Sequence, residues 1–333
     1  MVALTDVQVL RVSARVMAQV SAMTDPAAAG VDHQDPSLPL PVRSSRLFQA
    51  FCQHHGEEAA DVLPIPDVSR AIREVFDRQG GGGELGRLVA WDPVLSARLI
   101  GQANNPLYFP EQPIHQFNDA VKRIGNRATK HLLVTWCVRK VSHYRRVEVQ
   151  QSVRRWWKAS VFRAAVCQLL AADYSSLDPQ AARLAGLVAD IGELPFLGFA
   201  DGFPAAYWNS DELERALPWV RPALGADLLR RWNFPEALAE IPLHARDWQF
   251  QGEESLTLAD LVILANSLVA IGTPTQARQP AIDSLPGWAK LGNGGITPIQ
   301  ALQLLHKARA MVTQLSPPGF EGRSGTSRPG AYA

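Results

Sequence analysis

Leu184-Ala185-Gly186-Leu187-Val188-Ala189-Asp190-Ile191-Gly192-Glu193-Leu194 is the stretch on which the fold and the chemistry turn. Leu184, Leu187, Val188 and Ile191 recur at helical spacing, so the run is an apolar helix face that ends in an acid and a glycine. An aspartate there has two readings. It is a ligand at the floor of a pocket, or a carboxylate that caps and anchors the following loop. Asp190 alone offers one ligand, and a protein metal site usually needs at least three. Its neighbour Ala189 offers a methyl group, which binds no metal.

Outward from this point the chain keeps a helical period. Upstream, residues 152–173 form a long helix and 127–143 another; Ala120, Val121 and Ile124 run into Gly125, a C-terminal stop. Asp92-Pro93 is a cap with proline in the first turn. Val94, Leu95, Leu99, Ile100 and Ala103 follow at helical spacing until Asn104-Asn105-Pro106. Asp67 caps a helix through Phe76, Gly80 to Gly83 form a flexible loop, and a short helix spans about 43–55. Downstream, helices are expected over 222–232, 235–247 and 256–271. Nothing alternates with period two, so the fold class is all-α, with about thirteen helices.

At the N-terminus, residues 5–23 form an amphipathic helix with Val7, Leu10, Val12, Val16 and Val20 along one face. A Pro/Ala-rich linker follows. The expected division is 1–42 for helix and linker, 43–150 for a first helical lobe, 151–314 for a second, and 315–333 for a Ser/Gly/Arg-rich disordered tail.

Composition narrows the function. Of 333 residues, 47% are hydrophobic, ample for a core, and the formal net charge of +1 gives no general pull toward nucleic acid or acidic membranes. The three cysteines, Cys52, Cys137 and Cys167, form no C-x-x-C pair and fit a reducing compartment. Arg11 and Arg15 break the N-terminal apolar run, so no signal peptide is expected. Leu256 to Ile271 contains Asp260 and Asn266 and falls short of a bilayer span. A cytoplasmic protein is expected. The glycine run is no phosphate loop, Cys52-Gln53-His54-His55 lacks neighbours to complete a metal site, and no G-x-S-x-G elbow occurs.

Several dispersed motifs then recur in a familiar order. They are Leu63-Pro64, Glu84-Leu85-x-x-Leu88-Val89-x-x-Asp92-Pro93-x-Leu95, Ala103-Asn104, Ala120-Val121-x-x-Ile124-Gly125, Trp157-x-x-Ser160-x-x-x-Ala164, Gly186 to Gly192, Leu224-Gly225-Ala226-x-Leu228-Leu229-x-x-Trp232-x-x-Pro235 and Ile241-x-x-His244. Over Leu63 to Ala270 the chain resembles the HDOD family, the HD-related output domains of bacterial signalling proteins. These are a degenerate branch of the HD metal-phosphohydrolase superfamily. In that comparison the central stretch is similar to "GLLHDIG", with Ala189 where the histidine stands. The positions matching the superfamily's ligands hold Ala159, Ala189, Asp190, Arg221, His244, Ala245 and Asn266. Asp190 and His244 could still ligate, two bonds in all, so neither a metal nor a cofactor is expected.

The resemblance implies a helical first lobe packed on a degenerate HD-type lobe. It also implies a regulatory, non-enzymatic role exerted through contacts with signalling proteins supplied in trans. A sensor that binds a nucleotide or second messenger in the vestigial pocket is the alternative, and a surviving phosphohydrolase the third. Arg221, a permanent cation in a ligand's place, is expected near Asp190 or His244. His244 reads either as a pocket residue or as a hydrogen-bonded core histidine. Arg154, Arg155, Trp156, Trp157 and Lys158 interleave cations with aromatics, a pattern that can bind anions, although a solvated connector has the same look. Nucleic acid and membrane are not expected partners. The N-terminal helix is expected to serve docking, in a groove on a partner or on a second copy of the chain, and the alternative is a return onto its own first lobe.

Overall fold

The computed structural model describes residues 35–54, 82–106, 112–138, 144–291 and 295–315. The N-terminal helix at 5–23, most of its linker, the helix starting at Asp67 and the tail beyond Leu315 lie outside the described residues. The described residues are helical, with no strand among them. In chain order the helices are α1 (Leu40–Arg43), α2 (Arg46–His54), α3 (Gly82–Trp91), α4 (Pro93–Ala103), α5 (Phe117–Ile124), α6 (Asn126–Val138), α7 (Val147–Tyr174) and α8 (Pro179–Val188). There follow α9 (Glu193–Gly202), α10 (Ser210–Arg231), α11 (Glu236–Ala239), α12 (Ile241–His244), α13 (Leu258–Val269), α14 (Pro286–Ala289) and α15 (Pro298–Leu315).

Local chemistry sets the corners. Asp92 takes an extended backbone (φ −83°, ψ 122°) and its side chain accepts from the Leu95 amide at 2.8 Å, while Pro93 opens α4 where no amide is required. Asn104 closes α4, and its amide pins the returning chain: it donates to the Ile114 carbonyl at 2.9 Å and accepts from the Ile114 amide at 2.7 Å. Gly125 sits at φ +88°, a left-handed position that ends α5 before α6 begins.

The 28-residue α7 is the central rod, about 42 Å long at 1.5 Å per residue. It packs against α8, α9, α13 and α15. Gly186 allows α8 its close approach, because a Cβ there would lie 2.7 Å from the Ala164 Cα. On the other side, a Cβ at Gly192 would lie 2.2 Å from the Arg221 carbonyl oxygen, so this glycine brings the end of the central stretch onto α10. These two contacts hold Asp190 between α7 and α10.

Several expectations change. Gly82 and Gly83 lie in the first turn of α3, so the glycine run is not all loop. α10 starts at Ser210 and runs through Pro218 and Pro222, whereas the proline at 222 had suggested a helix start. Each interior proline costs about 3 kcal/mol. Leu213, Ala216, Leu217 and Val220 are buried along the extension, and a fully buried Leu or Val contributes roughly 1.5–3 kcal/mol, which offsets that cost. The helix expected over 235–247 is two short ones, because Pro242 has no N–H to carry α11 into α12. α9 and α15 were not expected as separate helices.

The expected boundary near residue 150 falls inside α7, and one continuous apolar cluster runs from Leu38 to Ala308. Phe51 on α2 meets Phe196 and Phe199 on α9 edge-on, with ring centroids 5.0 and 5.4 Å apart. The segment 43–54, expected in the first lobe, thus packs on the second. Two polar contacts also tie the regions together: the Trp157 indole donates to the Asp92 carboxylate at 3.2 Å, and Gln116 donates to Asp178 at 3.0 Å.

Candidate functional site

Asp190 lies just beyond the end of α8, 4% exposed, with its carboxylate turned into the space bounded by α7, α10, α12 and α13. Its backbone is fixed from behind, since the buried Trp156 indole donates to its carbonyl oxygen at 2.8 Å. Three guanidinium groups surround the carboxylate. Arg163, from the middle of α7 and 2% exposed, donates to Oδ2 at 2.6 Å. Arg246, just after α12, clamps both oxygens: Nη1 bonds Oδ1, and Nη2 reaches Oδ2 at 3.0 Å. Arg221 on α10 places Nε 3.7 Å from Oδ1 and donates from Nη1 to Glu193 at 3.1 Å.

The surroundings complete the network. Arg163 also donates from Nε to the Gly186 carbonyl at 2.8 Å and from Nη1 to the Asn266 side-chain oxygen at 3.3 Å. Its Nη2 reaches the Ser160 hydroxyl at 3.4 Å. Asn266 turns its own amide to the Ala245 carbonyl at 2.6 Å. Burial disfavours the charged form of Asp190, but Arg163, Arg246 and Arg221 outweigh it and hold the carboxyl well below the usual carboxylate range. Glu193 goes the other way. Burial and the Asp190 charge push it up to about 7, although Arg221 and Arg246 favour its ionised form.

This donor set does not fit a metal. Among the described residues no group of three or more His, Cys, Asp or Glu comes together that could hold an ion. Both oxygens of Asp190 face cations, and a divalent ion would have to displace a guanidinium to reach them.

A family model decides what scaffold carries this network: the HDOD domain matches residues 62–247, more than half of the chain. The chain belongs to the HDOD family. Solved structures similar to it include the MmoQ response regulator of Methylococcus capsulatus str. Bath, at 18% identity over 77% of this chain and 98% of that one, with a TM-score of 0.49. A virulence factor of Campylobacter jejuni matches at 18% identity over 74% and 95%, with a TM-score of 0.49. A protein of Shewanella amazonensis SB2B described as a putative metal-dependent phosphohydrolase matches at 23% identity over 75% and 92%, with a TM-score of 0.44. No curated protein matches.

Within this HDOD fold the expected pocket residues separate. Asp190, Arg221, Asn266 and the Ala245 carbonyl join one network, Asn266 through Arg163, and Ala189 is buried one residue before Asp190. Ala159 does not join; it lies on the exposed side of α7, and its neighbour Ser160, 0% exposed, faces the network. One residue on a helix turns the side chain by about 100°, enough to exchange the two faces. His244 is half-buried and packs at a tilt against Phe250, with ring centroids 4.4 Å apart and the planes at 36°. The residue of that segment that reaches Asp190 is Arg246.

The basic and aromatic run does not form an aromatic binding face. Trp156 and Trp157 are 4% and 3% exposed, and their indole N–H groups serve Asp190 and Asp92. Arg154, Arg155 and Lys158 lie on the opposite, exposed side, where Arg155 pairs with Glu214. Base stacking needs an open ring, and here the rings are core.

Sequence reasoning missed Arg163, Arg246 and Glu193. Arg163 had left a signal. It falls in Val161-Phe162-Arg163-Ala164-Ala165-Val166-Cys167, at the spacing of Trp156, Ser160 and Ala164, where a charge must be paired.

Proposed function

We propose that this HDOD protein is a non-catalytic regulatory module of the bacterial cytoplasm, acting through contacts with signalling proteins supplied in trans. The observation that supports it most is the Asp190 carboxylate enclosed by Arg163, Arg221 and Arg246. HD-type hydrolysis needs a metal to lower the pKa of a water toward neutrality. Three fixed cations around the remaining acid repel such a metal and give the carboxylate a permanent partner instead. The scaffold is kept and its polar centre becomes a structural ion cluster. Among the described residues no helix is long and apolar enough to cross a membrane, so no such anchor enters the proposal.

The test is direct. The purified protein is assayed for bound manganese, iron, zinc and magnesium, and for phosphodiesterase activity on generic phosphoesters and cyclic dinucleotides with manganese added. Less than a tenth of an equivalent of metal and no turnover are expected. Turnover that disappears in Asp190→Ala would overturn the reading, as would one equivalent of metal released by that substitution.

A further inference from the structure

The Asp190 cluster does not balance its charge. Arg163, Arg221 and Arg246 converge on it, and among the described residues the carboxylates that act on these arginines are Asp190 and Glu193. With both acids ionised, one positive charge is left over. The imbalance is not spread evenly through the cluster. Arg163 is sealed at 2% exposure and spends its donors on Asp190, Gly186, Ser160 and Asn266. Arg221 is 15% exposed and Arg246 is 37% exposed. The surplus therefore sits at the mouth, on guanidinium groups set by α10 and by the chain just after α12.

A guanidinium carries five N–H donors in a planar fork. Arg246 spends two of its own on Asp190. Its remaining edge is suited to an oxyanion arriving from solvent. Repulsion among three converging cations falls when such an anion arrives, and the partly desolvated setting makes each charge count for more than in water.

Resting on the reading of Asp190 as ion-paired, we infer that the mouth of the cluster, formed by Arg246 and Arg221, is a binding site for an oxyanion, either a carboxylate or a phosphate group. The fork geometry suits both. A carboxylate would come from an acidic residue of a protein partner, and a phosphate from a small phosphorylated ligand.

The experiment uses the full chain and three sodium salts at equal ionic strength: chloride, acetate and phosphate. Melting temperature is followed by scanning calorimetry. A ligand that binds the native state raises it by mass action, so acetate or phosphate should exceed chloride by a few degrees. Phosphate also stabilises proteins by exclusion from their surface, which a variant controls for. Arg246→Gln should abolish the site-specific part and leave the general part. Above pH 7, where Glu193 is ionised, Glu193→Gln removes one of the two resident anions, leaves two surplus positive charges, and should enlarge the response. A response to phosphate alone identifies a phosphorylated small ligand, and one that includes acetate identifies a partner's carboxylate. Equal melting temperatures in the three salts would overturn the inference, as would a response unchanged in Arg246→Gln. Should that variant fail to fold, a Glu193→Gln response no larger than the wild type's would do the same. A protein without an anion response, without metal and without turnover loses this inference and keeps the proposed function.

Discussion

Asp92 and Asp190 are both buried, at 1% and 4% exposure, and they are held in opposite ways. Asp92, at the corner between α3 and α4, receives neutral donors: the Leu95 amide and the Trp157 indole. Burial wins, and its carboxyl is pushed up to about 6. Asp190 receives three guanidinium groups, and the cations win. Burial alone therefore does not fix the state of an acid. The charge of the donors does, and in this fold it separates an acid that joins two parts of the molecule from one that anchors its polar centre.

The largest expected effect comes from emptying the charged centre. Asp190→Ala leaves the Arg163 charge sealed in the core without its carboxylate. Breaking a buried pair in this way costs about 3–5 kcal/mol. Urea denaturation of Asp190→Ala should show that loss, with Arg163→Ala close behind. Arg221→Ala should cost less, about 1.5–3 kcal/mol, because Arg221 stands farther from Asp190 and keeps 15% exposure. Equal losses for Arg163→Ala and Arg221→Ala would show that the three arginines share the load evenly.

The second effect is a pH slope, and the two acids give opposite signs. Asp92 has a raised pKa, so its contribution to stability is complete below its unfolded value near 4. That contribution is lost as pH rises through about 6. Asp190 has a lowered pKa, so its contribution is present above the unfolded value near 4 and lost as pH falls through the depressed one. Glu193, raised to about 7, has the sign of Asp92. Asp92→Asn removes one titration from the first group. Measured from pH 4.5 to pH 8, the stability of Asp92→Asn relative to wild type should therefore move in the variant's favour by ~2 kcal/mol. A difference that stays constant over that range would mean that Asp92 ionises normally.

The comparison also shows how far the sequence could be read. Period and caps revealed the all-helical class, and Asp92-Pro93 revealed its corner to the residue, because a cap is a local device. Asp190 was legible from its place at the end of an apolar face, and Arg221 and Asn266 from their match to the family's ligand positions. Arg163 signalled only that it needs a partner and Arg246 gave no signal, since that partner lies 27 and 56 residues away and periodicity carries no distance between elements. The helix start misread at Pro222 has a similar origin. A local rule forbids the interior proline, and the burial of Leu213, Leu217 and Val220 overrides it.

A third carboxylate sharpens the contrast at the small end. Asp178 caps α8, accepting from the amides of Gln180 at 3.1 Å and Ala181 at 3.2 Å, and it also takes the Gln116 side chain from across the molecule. Its cap partners are neutral amides, as are those of Asp92, but it stands near solvent, where water shares the work of solvating the charge. Removing the cap should cost about 1 kcal/mol in Asp178→Ala. Asparagine caps nearly as well as aspartate, so Asp178→Asn should stay within ~0.5 kcal/mol of wild type at neutral pH. That pair of variants separates geometry from charge. If the asparagine variant falls as far as the alanine one, the charge at residue 178 matters in its own right. The nearby Arg183 guanidinium, which feels the Asp178 charge, would then be its counterpart. Asp178 would in that case be a weaker, solvent-side version of Asp190, and the line between capping acids and paired acids would run through burial as well as donor charge.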